Sequence, residues 1–178
     1  MKILAFAGSN SSTSINKQLV TYTSAQLQEH TVHIIDLNDY EMPLFSIDRE
    51  KEYGAPDAAH QFVQQIREHD ALIISLAEHN RIYTTAFKNI FDWCSRVELK
   101  LFQQKPLFLL STSTGKGGGI NVMKHALEYL PQFGANIIAH FSLPQFKIHF
   151  DPQQGILEQD LANAYQEQLA LFRNALQA

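Results

Sequence analysis

The sequence predicts a doubly wound α/β domain, and three observations carry that prediction. Short apolar runs alternate with amphipathic stretches five times along 178 residues. Two runs, Leu72-Ile73-Ile74 and Leu107-Phe108-Leu109-Leu110, are continuously apolar rather than alternating, as parallel strands covered on both faces are. The strand-then-helix order repeats without interruption, which implies helices on both sides of a parallel sheet. No linker, internal repeat or low-complexity tract breaks the pattern, so residues 1–178 are assigned to one domain, long enough to enclose a full core.

The first strand, Lys2–Ala7, carries the apolar run Ile3-Leu4-Ala5-Phe6-Ala7 and stops at Gly8. A helical pattern follows over Ile15–Glu29, then a second strand over Thr31–Asp36. The connection Asn38–Ala55 is long for a compact domain, and such segments are often lids or binding loops; Leu44 and Phe45 are its candidates for sheltering a ligand. The remaining helices are expected at Pro56–Glu68, Thr85–Val97, Ile120–Leu130 and Glu158–Leu176, and the remaining strands at Ala71–Ala77, Pro106–Ser111 and Ala135–Phe141. Within Thr85–Val97, Ala86, Ile90, Trp93 and Val97 form one apolar stripe, and Phe87, Phe91 and Cys94 form a second beside it. That face is wider than one sheet contact demands. Either its second side meets another subunit, or the whole helix lies deep under its neighbours.

Composition narrows the function. Hydrophobic content of 45% and charged content of 18% are those of a globular protein. A net charge of −4 argues against nucleic acid as the main partner. The one cysteine, Cys94, excludes an internal disulfide framework. No apolar run approaches the roughly 18 residues of a membrane span, and no signal-peptide region is read at the N-terminus. The expectation is a cytoplasmic protein without membrane or nucleic-acid partners.

Ligands of such sheets bind beyond the carboxyl ends of the strands, so three loops matter. Gly8–Ser14 is a run of short hydroxyl and amide residues between a strand and a helix start. The first N–H groups of a helix lack partners and its dipole makes that end positive, so an anion is held there without any Lys or Arg; plain helix capping, by Ser11 or Ser12 among others, is the competing reading. The loop after the third strand reads Glu78-His79-Asn80-Arg81-Ile82-Tyr83-Thr84. The loop after the fourth reads Thr112-Ser113-Thr114-Gly115-Lys116-Gly117-Gly118-Gly119, whose glycines let backbone approach a flat ligand. Lys116 either meets a nucleotide phosphate or keeps the loop soluble. Gly8 alone does not make the dinucleotide fingerprint, so Asp36 is read as a loop cap. Trp93 and Cys94 read as core. No Ser-His-Asp or metal constellation is evident, and His79 is the one histidine that the sequence places in this region.

Taken together these residues resemble the NAD(P)H-dependent FMN reductases of the flavodoxin-like superfamily, which include quinone, azo-dye and chromate reductases. The G-S-x-R-x-x-S-x-N of that family is matched by Gly8-Ser9, Ser14 and Asn16. Its P-E-Y-N and P-G-x-L-K-N-A-x-D-W are matched by Ala77-Glu78-His79-Asn80 and Phe87-Lys88-Asn89-Ile90-Phe91-Asp92-Trp93. Its Ser- and Gly-rich loop is matched by Ser111–Gly119, and Asp39 with Pro43-Leu44-Phe45 falls where its segment after the second strand does. The chain departs from the family at Ser11 (arginine), His79 (tyrosine), Ala77 (proline) and Thr84-Thr85 (Pro-Gly). The resemblance implies a flavodoxin-like five-stranded parallel sheet of order 2-1-3-4-5. It implies FMN as cofactor and NADPH or NADH as co-substrate. The acceptor would be a quinone, azo compound, metal ion or free flavin, and the assembly a homodimer or dimer of dimers. Ser9, Ser11, Ser14, Asn16 and the Ile15 N–H would hold the FMN phosphate. Glu78, His79 and Asn80 would line the isoalloxazine edge, and Ser113, Gly115 and Gly118 would approach its pyrimidine end. The flavin carries the chemistry, so no catalytic side chain and no metal is expected. A flavodoxin-type electron carrier, or a flavin-free protein of the same fold, are the alternatives.

Overall fold

The computed structural model describes residues 1–177. β1 (Lys2–Gly8) leads into α1 (Ile15–Ala25), and β2 (Thr31–Ile35) into a 3-10 turn (Leu37–Tyr40). Then come α2 (Ile47–Tyr53), α3 (Asp57–Glu68) and β3 (Ala71–Leu76), followed by a small hairpin of β4 (Glu78–His79) and β5 (Ile82–Tyr83). α4 (Thr85–Val97), β6 (Pro106–Thr112), α5 (Ile120–Tyr129), a 3-10 turn (Leu130–Phe133) and β7 (Asn136–Leu143) follow. The chain closes with α6 (Phe146–His149), a second hairpin of β8 (Phe150–Asp151) and β9 (Gly155–Ile156), and α7 (Gln159–Ala175). The main sheet runs β2-β1-β3-β6-β7 with every pairing parallel, which is the order expected for the five long strands.

Alternation along the central strands feeds two cores, one per face. Leu4, Phe6, Leu72, Ile74, Leu107 and Leu109 pack under α3, α4 and α5. Ile3, Ala5, Ile73, Phe108 and Leu110 pack under α1 and α7. A strand that must satisfy both faces has no polar positions left, hence the continuous apolar runs. The edge strands β2 and β7 alternate in burial instead.

Several bounds differ from those expected. α1 ends at Ala25, not Glu29: Gln26 and Leu27 donate to Thr23 and Ser24 in tight turns that bury Leu27 and turn the chain back to β2. Pro56 and Glu158 are caps rather than helix residues; the Glu158 carboxylate accepts the N–H of Asp160 (3.1 Å) and Leu161 (2.8 Å). Asp36 lies past the end of β2 and caps the 3-10 turn through the Asn38 N–H (2.9 Å). α4 keeps its expected bounds. Both of its apolar stripes are buried within the chain: Ile90, Trp93 and Cys94 belong to the same core as Phe87 and Phe91, Phe91 meets Phe133 edge-on at 4.7 Å, and the Trp93 indole N–H donates to Pro43 O at 2.7 Å. The wide face is therefore covered by the chain itself. The Asn38–Ala55 connection is held down rather than loose, because Asn89 accepts the Phe45 N–H (2.8 Å) and donates to Met42 O and Pro43 O (3.2 Å each). Phe45 packs on Trp93 with ring centroids 4.9 Å apart.

Candidate functional site

The carboxyl ends of β1, β3 and β6 converge on a cavity of about 250 Å³. The Ser9–Ser14 loop forms one wall and folds on its own hydroxyls. Ser11 N–H donates to Ser9 Oγ (3.2 Å), Thr13 N–H to Ser11 Oγ (3.3 Å) and Ser14 N–H to Ser11 O (3.2 Å). The helix cap is Ser14, whose Oγ accepts the Lys17 N–H at 3.2 Å, and not Ser11 or Ser12. That leaves the Ile15 and Asn16 N–H groups of the first turn without partners among the described residues. α1 has no acidic residue in its first turn to offset the positive dipole end. Ser9, Ser11, Thr13, Ser14, Ile15 and Asn16 all line the cavity.

Asn16 is the strut of this arrangement. It is 2% exposed. Its Oδ1 accepts from Ser75 Oγ (2.7 Å) and Thr112 N–H (3.1 Å), and its Nδ2 donates to Thr112 O (3.2 Å). One side chain thus ties α1 to the ends of β3 and β6. Asn16 offers the cavity its backbone N–H, since its carboxamide is spent on positioning.

The second wall is Ala77, Glu78 and His79. The Glu78 carboxylate reaches the start of α5, where it accepts the N–H groups of Asn121 and Val122 (2.9 Å each) and the Asn121 amide (3.1 Å). A carboxylate on a helix N-terminus is favourable in both charge and hydrogen bonding, so Glu78 fixes the hairpin against α5. His79 is exposed at the cavity edge. Asn80 sits at the hairpin tip with φ 51°, next to Arg81 at φ 69°, the left-handed pair that a two-residue hairpin needs; it does not line the cavity. Thr84 occupies the family's proline position, 1% exposed. Its hydroxyl donates to Gly8 O (2.9 Å) and accepts the Phe87 N–H (3.1 Å), fastening the start of α4 to the end of β1.

The third wall is Thr112, Ser113 and Thr114. Gly115 and Gly118 lie outside the cavity lining. Gly115 O accepts the Gln145 N–H at 2.9 Å. A Cβ on Gly118, at φ +58°, would stand 2.8 Å from the backbone of Leu143 and Pro144, so this glycine answers to the approach of the chain after β7. Thr13, Ala77, Thr112 and Thr114 are lining residues that sequence reasoning did not single out. The hydroxyl run Thr112-Ser113-Thr114 is the visible signal for the last two.

No Lys or Arg lines the cavity. Lys17, one turn into α1, is ion-paired with Asp36, whose carboxyl is held below its ordinary value chiefly by that hydrogen bond. At the start of α1 the lining is a set of hydroxyls and unpaired N–H donors, the donor set that a phosphate monoester takes, while the Glu78 carboxylate of the second wall is spent on α5; the residues at the helix start fit the phosphate of FMN. A larger cavity of about 360 Å³ lies under the Leu37–Leu44 segment. Of the first loop it touches only Asn10, and of the residues expected near a ligand it holds only Leu44, with none of the Ser9–Ser14 hydroxyls or the N–H groups at the start of α1.

The chain is similar to known proteins along most of its length. The family described as NADPH-dependent FMN reductase matches residues 1–147. An NAD(P)H-dependent FMN reductase of Pseudomonas aeruginosa is 29% identical over 182 aligned positions, covering 95% of this chain and 91% of the relative. A 2-hydroxy-1,4-benzoquinone reductase of a Burkholderia species is 32% identical over 127 residues, covering 70% and 67%. Among solved structures, the flavoenzyme NAD(P)H:(acceptor) oxidoreductase FerB of Paracoccus denitrificans superposes with a TM-score of 0.75 at 21% identity, covering 96% of this chain and 94% of the other.

Proposed function

The chain belongs to the NADPH-dependent FMN reductase family, oxidoreductases with FMN as cofactor and NAD(P)H as co-substrate, and on that premise we propose that it passes reducing equivalents from NAD(P)H through FMN to a small-molecule acceptor of the quinone type. Azo compounds, metal ions and free flavin are further candidates as acceptor. The observation that carries this reading is the convergence of the Ser9–Ser14 cradle with the loops after β3 and β6.

Bound FMN supplies the acceptance of hydride and its delivery as electrons. The residues of this chain do the rest. Ser9, Ser11, Ser14 and the N–H groups of Ile15 and Asn16 bind the phosphate. Ser113 and Thr114 face them across the cavity. His79 would be offered to the isoalloxazine edge, while Glu78, in the same wall, braces the hairpin on α5 and Thr84 fastens the start of α4 to β1. Asn80, Gly115 and Gly118 contribute by shaping the two loops. Ser11 replaces the family arginine, so phosphate binding here rests on hydrogen bonds and the helix dipole. A quinone acceptor is supported by the name of the Burkholderia relative.

The test is the visible spectrum after incubation with FMN and desalting, followed by anaerobic NADPH or NADH. A retained flavin spectrum that bleaches supports the reading. Retained flavin that neither nucleotide bleaches makes the chain an electron carrier, and no retained flavin overturns the site. A homodimer or dimer of dimers and a cytoplasmic location complete the proposal. With α4 covered by its own chain, a second copy would use apolar side chains that stay exposed, such as Leu44, Ile47 and Tyr53. A monomeric mass by light scattering at micromolar concentration counts against the dimer.

A further inference from the structure

We propose that the cavity under the Leu37–Leu44 segment holds the electron acceptor, and that it admits uncharged, carbonyl-bearing rings of the quinone class while Glu41 turns anionic acceptors away. The inference rests on the reading of the chain as an FMN-dependent reductase. The cavity has a volume of about 360 Å³, within the range of about 300–1,000 Å³ of small-molecule sites. One loop joins it to the phosphate cradle: Ser9 and Ser11 line the cradle, and Asn10 between them lines this cavity. The Thr84 hydroxyl on Gly8 O (2.9 Å) ties the start of α4 to the same loop, and Thr85 and Ala86 line the cavity just beyond that tie.

The walls suit a flat neutral ring. Leu37, Tyr40, Met42 and Leu44 supply one side, and Ala86 and Ile90 of α4 the other. Rings pack well on such side chains, and a thioether meets a ring edge favourably. The lining amides are spent within the chain. Asn89 accepts the Phe45 N–H and donates to Met42 O and Pro43 O. The Asn38 amide donates to Asp36 Oδ1 (2.8 Å) and Asn10 O (3.3 Å). What is left for a ligand are the N–H groups of Thr85 and Ala86, which have no partners among the described residues, and the Thr85 hydroxyl. These suit a carbonyl oxygen. Thr85 stands where the related family has glycine, so its hydroxyl is this chain's own contribution. The frame is fixed before binding by the Asn89 bonds, and a wall already ordered loses little freedom on binding.

Charge decides between acceptors. Glu41 is the one charged residue in the lining. It is exposed and has no ion pair among the described residues. The cations around it are engaged elsewhere: Lys17 with Asp36, Lys88 with Asp92, and Arg49 with the Leu44 carbonyl. A quinone brings no charge to Glu41. A sulfonated azo dye, a metal oxyanion or the phosphate of free FMN brings a like charge, and repulsion rejects it.

The experiment is equilibrium dialysis of the flavin-free full chain against two probes, uncharged duroquinone and anionic anthraquinone-2-sulfonate. The expected Kd for duroquinone is about tenfold below that for the sulfonate. Glu41→Lys should bring the two within about twofold of each other. Ala86→Trp fills the cavity and should weaken duroquinone binding about tenfold or more, with FMN affinity unchanged in a fluorescence titration. Leu44→Trp gives the same test from the exposed side should Ala86→Trp fail to fold. No duroquinone binding to the unmodified chain, or binding that survives both tryptophans, overturns the proposal and leaves the FMN reading standing. Equal binding of the two probes, or a gap that Glu41→Lys leaves untouched, overturns the selection by Glu41. Duroquinone bound in the cavity of a chain that retains no FMN overturns the acceptor role together with the reading on which it rests.

Discussion

Among single residues, the site is held by polar side chains that do not face it. Asn16 satisfies a Thr112 N–H and a Ser75 hydroxyl that are both buried away from solvent. Asn16→Ala leaves both unpaired, and unpaired buried groups are costly. The expected loss is about 1–3 kcal/mol, read as a lower urea midpoint at unchanged slope, with weaker FMN binding because the loops after β3 and β6 lose their common anchor. Asp36 gives a pH dependence. Its carboxyl is held below its ordinary value of 3.8 by the Lys17 hydrogen bond, so the folded state binds the proton less readily than the unfolded chain. Its stabilisation is full above about pH 4 and fades as pH falls through the lowered value. The pair is partly exposed, which limits the effect to under about 1 kcal/mol. Asp36→Asn should flatten this part of the acid limb in denaturation followed from about pH 6 to about pH 3.

Among the elements, the β4–β5 hairpin carries a local strain. Asn80 tolerates its left-handed conformation, but Arg81 at φ 69° holds a longer side chain in the same region. Arg81→Gly should stabilise the fold by a few tenths to about 1 kcal/mol, seen as a raised thermal midpoint, and leave the Glu78 cap on α5 in place. α4 shows the other side of local reading. Its two stripes were legible from spacing, yet spacing says only that both are apolar. The Pro43–Phe45 segment covers Trp93 of the first stripe, and Phe102 and Phe133 cover Phe91 of the second, partners that the helix's own spacing does not name.

Across the whole molecule, the two cores make one prediction about access. Cys94 has no exposed surface and lies in the core formed under α3, α4 and α5, where burial pushes its thiol up to about 12. A thiolate is the reactive form. Cys94 should therefore resist a thiol reagent in native buffer and react on complete unfolding, with a labelling midpoint in urea that coincides with the loss of helical circular dichroism. Labelling well below that midpoint would mean that the α3–α4 layer opens separately.

How much was legible follows from range. The five long strands, their parallel sense and the bounds of α4 could be read because each is written in a contiguous run: unbroken apolar stretches for strands buried on both faces, helical spacing for the layers above them; the order of the strands came only from the family resemblance. The Ser9–Ser14 cradle was legible for the same reason, since a strand end, hydroxyls and a helix start are neighbours along the chain. Glu78, Asn80 and Gly118 were legible as special positions, but their duties were not. The Glu78 carboxylate serves α5, 44 residues on at Val122, and Gly118 is demanded by Leu143 and Pro144. Short elements such as β4–β5, α2 and β8–β9 leave no periodicity to detect. The layers, the sheet and the place of the anion cradle are thus written in the chain, because they follow from local pattern and from the dipole of one helix. Which side chains face the cavity, which only brace it, and that the Leu37–Leu44 segment roofs a second cavity beside it emerge only on folding, because they depend on contacts that chain neighbours do not encode.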